Sequence, residues 1–375
     1  MPRMPKASPI TAAMIFVVIG MQVFIIQPGI VQGFVSRLGL TEARAGYLAS
    51  AEMFGIAAAT VLSAMFSARV NWKWLCGAAL AILAAADLSS AVIHDYAGLV
   101  AVRALAGLAS GVLISLGYAV VGAGAHPDRN FGLLITFVLA YGALGLWAIP
   151  TGLDRIGVPG IMLVLALMPL GGGVLLVSFP SALPTADAQG GSVPGQRRQG
   201  ALMLASVLAF FLGQGVIWAY LFLIGTHMGI DEQTVANGLT VAQFAGIAGA
   251  FAAAVLAARV ATAVLFVLGI VLSIAPLYFL SLRLDGVAYG AAVIVFNWAA
   301  NLLTPLLVAM VARLEARWVQ PAAALQMLGL AVGPAIAATL MDASGYSPIL
   351  ALCGALFTAS FILGLRPSLV PAAPI

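Results

Sequence analysis

Residues 180–199 read PSALPTADAQGGSVPGQRRQ and stand between two long blocks of almost unbroken apolar sequence. Pro, Gly, Ser and Ala dominate this stretch, which is the composition of a linker, and it falls near the middle of the 375 residues. The blocks on either side decide the solvent. With 63% of the chain hydrophobic and 7% charged, a soluble domain could not cover its apolar surface. A hydrocarbon core of about 30 Å takes roughly 20 helical residues per crossing. The chain is therefore read as an all-α integral membrane protein with about twelve transmembrane helices.

The expected spans are Pro9–Phe34, Ala43–Phe66, Trp72–Ile93, Tyr96–Gly122, Asn130–Gly152 and Ile156–Phe179 before the linker. After it come Gly200–Gly225, Gln233–Ala258, Val260–Leu282, Val287–Val311, Gln320–Met341 and Tyr346–Leu365. Runs of this length, without alternating ten-residue segments, exclude a transmembrane barrel. Arg3 and Lys6 precede the first run in the manner of a signal peptide. Ile10–Ile30 is longer than a signal core, however, and is read as an uncleaved span. Arg3, Lys6, Arg69, Lys73, Arg129, Arg197, Arg198, Arg259, Arg313, Arg317 and Arg366 fall at one set of helix ends. Arg37, Arg44, Arg155 and Arg283 fall at the other. That bias places both termini in the cytoplasm, and the compact loops suit a bacterial inner membrane. The net charge of +4 is accordingly an orientation signal and implies no nucleic-acid partner. Cys76 and Cys353 lie inside apolar runs, as small hydrophobes.

The two blocks resemble each other. Leu48-x-x-x-Glu52-x-x-Gly55-Ile56-Ala57 recurs as Leu239-x-x-x-Gln243-x-x-Gly246-Ile247-Ala248, at an offset of 191 residues. Just upstream, Gly39-Leu40-Thr41-Glu42 recurs as Gly229-Ile230-Asp231-Glu232, and Asp154-x-x-Gly157 recurs as Asp342-x-x-Gly345. Three matches in one order at nearly one offset point to a repeat of six spans. Its copies would be related by an axis along the membrane normal, with a solute site at their interface. The expected domains are an N-terminal six-helix bundle (1–179), a cytoplasmic linker (180–199) and a C-terminal six-helix bundle (200–375).

At this point the chain resembles the major facilitator superfamily (MFS). Arg103-x-x-x-Gly107-x-x-x-Gly111 is similar to that family's fourth-helix motif, and Gly329-x-x-x-Gly333-Pro334 to its eleventh-helix pattern. The signature loop between the second and third helices is degenerate, with Arg69 in place but Ala68 for an acid and Asn71 for a glycine. The antiporter motif of the fifth helix is incomplete: Gly142 and Gly145 are followed by a displaced Pro150. The resemblance implies the MFS fold, pseudo-two-fold symmetry and transport by alternating access, without favouring export by antiport.

Three charged residues lie well inside the spans: Glu52, Asp87 and Arg103. Each is eight residues from a charge at the outer boundary, about 12 Å deep. A charge at the centre of a span costs about 2.5–3.5 kcal/mol on insertion scales and is retained for a partner or a cavity. The alternatives are a proton-coupling set and an ion pair that only satisfies itself. Glu52 leads as proton carrier, since the repeat carries Gln243 at its position and Arg103 stands at matching depth to exchange with a proton. Asp87 reads as more structural, because the resemblance places the third helix outside the cavity. Amides and aromatics in the first, seventh and tenth spans form the candidate substrate site: Gln22, Gln27, Gln214, Trp218, Asn297 and Asn301, with Gln243 from the eighth. Asn297, Asn301 and Thr304 share one helix face ahead of Pro305. Helix packing alone is the competing explanation for any one of these amides.

The expected function is secondary active transport of a small organic solute, with protons as the coupling ion. The alternatives are a uniporter or symport importer of a metabolite, and a transport-inactive receptor or scaffold on the same fold. No enzyme is expected, since no paired acids, His–Glu motif or Gly-x-Ser-x-Gly elbow lies in a span. No phosphate-binding Gly-rich loop is present, so no cofactor and no direct use of ATP are expected. The scattered Met residues and the loop positions of His94, His126 and His227 leave no metal site. Membrane lipid is the expected surrounding, and the chain is expected to act as a monomer.

Overall fold

A computed structural model of the protein describes residues 8–66, 70–182, 196–257, 259–314, 318–344 and 346–368. Arg3, Lys6, Ala68, Arg69, Arg317, Gly345 and most of the linker lie outside the described residues. Before the linker the helices are α1 (Pro9–Gly20), α2 (Gln22–Ile25), α3 (Gln27–Ser36), α4 (Glu42–Phe66), α5 (Trp72–Ser90), α6 (Tyr96–Gly122), α7 (Pro127–Arg155) and α8 (Gly157–Gly172). A 3₁₀ turn, Gly173–Val177, follows α8. After the linker come α9 (Gln196–Trp218), α10 (Leu221–His227), α11 (Glu232–Leu256), α12 (Thr262–Leu280), α13 (Gly286–Leu314), α14 (Val319–Ser344) and α15 (Ser347–Ser368). Among the described residues, eleven helices are long and apolar enough to cross a membrane. The first expected span is a chain of three short helices instead, because it breaks at Met21 and Ile26.

Polar residues mark where the helices begin. The side chains of Asn71, Asp95, Asp231 and Asp285 accept backbone N–H bonds at the starts of α5, α6, α11 and α13, at 2.6–3.0 Å. Hydrogen bonds from Thr234 hold the Asp231 carboxyl below its usual pKa. The repeated tetrapeptide forms the same turn twice. Gly39 and Gly229 both take positive φ, 67° and 86°, a conformation that glycine adopts without strain. Two residues later Thr41 accepts from Arg44 N and Asp231 from Thr234 N, starting α4 and α11.

Small residues set how closely the helices approach. A Cβ on Gly55 would lie 2.3 Å from the Ala104 carbonyl oxygen, and one on Gly107 2.0 Å from that of Glu52. On the other side of the linker, a Cβ on Gly249 would meet the Trp298 carbonyl at 2.2 Å. The pairs α4–α6 and α11–α13 are thus in backbone contact, the packing that small residues permit in membranes. Across the halves of the chain, α4 packs along α14 and α7 along α11.

Candidate functional site

The break in the first apolar stretch organises the centre of the molecule. Pro28 has no N–H to return to the Phe24 carbonyl four residues back, and the Gly29 N–H turns to Ile26 instead, at 3.0 Å. Side chains from three other helices take up the carbonyls of this turn. Tyr141 of α7 donates to Gln22 O at 3.1 Å, Trp218 of α9 to Phe24 O at 3.1 Å, and Gln243 of α11 to Ile25 O at 3.3 Å. In an apolar medium such satisfaction is what allows a helix to be interrupted.

Beside this turn lies a cavity between the halves, of about 210 Å³. Its polar wall comes from the second half of the chain: Gln214, Gln243, Asn297, Asn301, Thr304 and Gln326. The first half contributes Met21, Phe24, Ile25, an apolar row on α7, and the phenol of Tyr118. Phe211 and Trp218 add aromatic surface, and no charged residue is part of the wall. Asn297 Nδ2 donates to the Ala242 carbonyl at 2.6 Å and to Gln243 Oε1 at 3.2 Å, while Asn301 Nδ2 donates to the Asn297 carbonyl at 2.9 Å. Pro305 offers no N–H to the Asn301 carbonyl, and Gln214 Oε1 is buried without a hydrogen-bond partner. Those two oxygens are acceptors that an incoming donor could satisfy.

Hydrogen bonds between the halves gather at the end of the molecule that carries the α3–α4 and α10–α11 turns. Gln32 donates to Glu232 at 3.0 Å, Thr226 to Gln32 at 3.3 Å and Gln233 to the Trp147 carbonyl at 3.3 Å. Ser50 donates to the Ala331 carbonyl. Arg37 pairs with Asp154 at 2.6 Å within its own half and with Glu232 of the other half at 3.5 Å. The cavity wall extends the other way, to Tyr118, Leu134 and Gln326, which lie near the opposite ends of α6, α7 and α14.

The three intramembrane charges meet in the first half, away from the cavity wall. Arg103 holds Glu52 by two bonds, 2.6 and 3.2 Å, and Asp87 by one of 2.7 Å. Gln22 donates to the second Asp87 oxygen at 2.6 Å, and Met162 of α8 brings its sulfur to 4.0 Å from the guanidinium. Arg103 is 1% exposed, Glu52 4% and Asp87 0%. Two carboxyls therefore face a single cation in a medium where an uncompensated charge is costly.

Of the seven candidate substrate residues, Gln214, Trp218, Gln243, Asn297 and Asn301 stand in the cavity wall. Gln22 belongs to the ionic cluster instead, and Gln27 is buried in α3 with its Nε2 unpartnered. Asp87, read as more structural than Glu52, is bonded directly to Arg103. Sequence reasoning missed Tyr141 and Gln326. A lone Tyr or Gln in an apolar run carries no signal of which carbonyl or cavity it faces.

A crystal structure of a mutant of the nucleoside transporter NupG has the same fold. The match has a TM-score of 0.73, covers 96% of this chain and 99% of that one, and carries 11% identity. None of the curated proteins matches the sequence. The sequence model of the Major Facilitator Superfamily matches residues 12–318, and with an all-helical architecture built around a central cavity, the chain belongs to that superfamily.

Proposed function

We propose that the protein is a secondary active transporter that moves an uncharged organic solute by alternating access and couples the movement to protons. The observation that carries this reading is the uncharged, amide-lined cavity between the halves, held shut at one end by bonds that cross from half to half. In the proposal α1–α3 together make the twelfth crossing, 1–179 and 200–375 are the two bundles, and 180–199 links them in the cytoplasm. The repeated Gly39 and Gly229 turns support two-fold kinship. So do the α4–α14 and α7–α11 contacts, which exchange under a shift of six spans. With the basic helix ends in the cytoplasm, the conformation described is inward-facing.

A wall without charge disfavours ions, because a charged solute would surrender its hydration with nothing to offset the loss. Amides on one side and apolar side chains on the other suit a solute with a hydrogen-bonding edge and a flat apolar face. Nucleosides, which the NupG neighbour carries, are solutes of that kind. In the ionic cluster, two carboxyls on one guanidinium leave a surplus negative charge that one proton neutralises, and Glu52 is assigned as the proton carrier.

Thermal stabilisation of the purified protein by uridine and adenosine, compared with their 5′-monophosphates, tests the substrate class. The neutral pair should stabilise, and stabilisation by the monophosphates alone would refute it. Uptake of the stabilising nucleoside into proteoliposomes, with and without an imposed pH gradient, tests coupling. Glu52→Gln leaves Arg103 paired with Asp87 and places at this position the residue its repeat already carries, so the fold should survive while uphill accumulation is lost. A Glu52→Gln protein that still concentrates solute on the gradient would remove Glu52 from the role and leave Asp87 as the next candidate.

A further inference from the structure

The ionic cluster and the cavity are separate, yet one helical turn touches both. The side chain of Gln22, the first residue of α2, donates to Asp87 Oδ2 at 2.6 Å. The backbone of the same four-residue helix supplies the Phe24 and Ile25 carbonyls to Trp218 and Gln243 of the other half, at 3.1 and 3.3 Å. Met21, Phe24 and Ile25 stand in the cavity wall. The remaining backbone bond of the turn, Tyr141 to Gln22 O at 3.1 Å, anchors it to α7 of its own half. Breaks at Met21 and Ile26 bound α2 and set its short ladder apart from those of α1 and α3.

Gln22 also has an unpartnered group in the right place. Its Oε1 is buried without a hydrogen bond, while its Nε2 serves Asp87. A carboxylate at Asp87 accepts from the amide nitrogen. A protonated Asp87 becomes a donor, and the partner it then needs is the amide oxygen, so the amide must turn over. The other groups facing this site are Arg103 of α6, bonded to Asp87, Glu52 of α4 on the far side of the guanidinium, and the phenol of Tyr141, close enough to feel the Asp87 charge. From α8 comes only the Met162 thioether. Gln22 is the neutral side chain among them that hydrogen-bonds Asp87, and it belongs to the turn whose Phe24 and Ile25 carbonyls reach the other half.

We infer that Gln22 is the positioning residue that reads the protonation state of Asp87 and transmits it through α2 to Trp218 and Gln243, so that protonation biases which end of the molecule is closed. The inference rests on the proton-coupled reading above, with the cluster's single proton distributed between Glu52, its carrier, and Asp87 on the same guanidinium, and it assigns the mechanical link. It gives a role to the break in the first span and to the amide oxygen left without a partner.

The test needs no substrate. Spin labels on cysteines replacing Leu38 and Leu282, exposed residues of opposite halves at the closed end, report opening there by pulsed-dipolar distance measurement. The measurement uses the full chain in lipid nanodiscs across about pH 3.5–9, a range spanning ordinary carboxyl and histidine titration. Cys76 and Cys353, both 0% exposed, do not compete for label. The wild-type protein should shift between short and long distances with pH, and Asp87→Asn should lose that shift. Gln22→Leu should lose it too while still populating both distances, and Trp218→Phe, which removes the indole N–H bonded to Phe24 O and keeps an aromatic ring, should reduce it. A Gln22→Leu protein that keeps the full response while Asp87→Asn loses it would overturn the relay and leave proton coupling standing. A wild type without pH response, or an Asp87→Asn protein that responds like wild type, would overturn the relay together with the protonation of Asp87. Should Gln22→Leu fail to fold, an unreduced response in Trp218→Phe overturns the relay by itself.

Discussion

Gly107→Ala puts the smallest side chain at the tightest point of the α4–α6 contact. The added Cβ would sit 2.0 Å from the Glu52 carbonyl oxygen, 2.8 Å from its carbon and 3.1 Å from its Cα, whereas ordinary contact begins at 3.4 Å. The obstacle is backbone, so no rotamer change relieves it, and the helices must part by about 1.4 Å at that level. Overpacking of this kind costs about 1–3 kcal/mol, against a gain of up to about 1 kcal/mol from replacing glycine in a helix. Parting the helices also stretches the Arg103 Nε–Glu52 Oε2 bond, already 3.2 Å long, and loses about 1 kcal/mol more. The net expectation is a loss of about 1–3 kcal/mol, or roughly 2–12 °C in Tm on the scale of mid-sized proteins. The assay is thermal unfolding in detergent beside a matched control, Gly132→Ala in α7, where the new Cβ meets nothing within 4 Å. Equal Tm values for the two variants would refute the claim that α4 and α6 are locked backbone to backbone at the ionic cluster.

Three further outcomes are expected. A cysteine replacing Gly191 in the linker should be labelled by impermeant reagent only from the cytoplasmic side, and one replacing Asp285 only from outside; the reverse pattern would invert the topology. Removing the cross-half pair with Arg37→Ala should raise the open fraction at that end. Both partners are partly exposed, so the pair is worth about 0.2–1 kcal/mol, which bounds the change in ratio at about fivefold, read with the Leu38 and Leu282 labels. Asn301→Ala and Trp218→Ala should each weaken binding of a stabilising nucleoside by about tenfold, the effect of losing one good hydrogen bond or aromatic contact. Unchanged affinity in both, at normal protein yield, would return these side chains to a packing role.

Much of the architecture was legible because hydropathy and turn chemistry are local. The spans end where Asp95, Asp231 and Asp285 cap helices and where Gly39 and Gly229 turn the chain. Counting eight residues from the boundary placed Glu52, Asp87 and Arg103 at one depth, and depth alone brought out the cluster they form. Rotation about each helix axis was not legible. The position of Gln22 is compatible with facing the cavity, yet its side chain turns inward to Asp87 and only its backbone serves the cavity side. Asp87 shows the same point: an outer helix can still turn one residue to the interior, where it meets Arg103. The first span reads as unbroken in the sequence, and the partners that make its break at Met21 and Ile26 tolerable, Tyr141, Trp218 and Gln243, lie 119, 194 and 218 residues away.

The repeat explains why the halves differ in chemistry while sharing a frame. Glu52 and Gln243 occupy matching positions on α4 and α11, helices that pack against α6 and α13 in the same way. In the first half the partner across that contact is Arg103, with charged bonds of 2.6 and 3.2 Å; in the second it is Asn297, at 3.2 Å from Gln243 Oε1. An ion pair sealed in a bundle responds to protons, whereas a neutral amide pair does not titrate and can trade hydrogen bonds with a solute. In the proposed function, one geometry thus serves as a proton-sensitive unit on one side and a solute-binding unit on the other. Placing charge in both halves would force the solute to compete with a proton for the same group. Keeping it in one half leaves the two events to meet at the turn between them, where Gln22, Phe24 and Ile25 touch both.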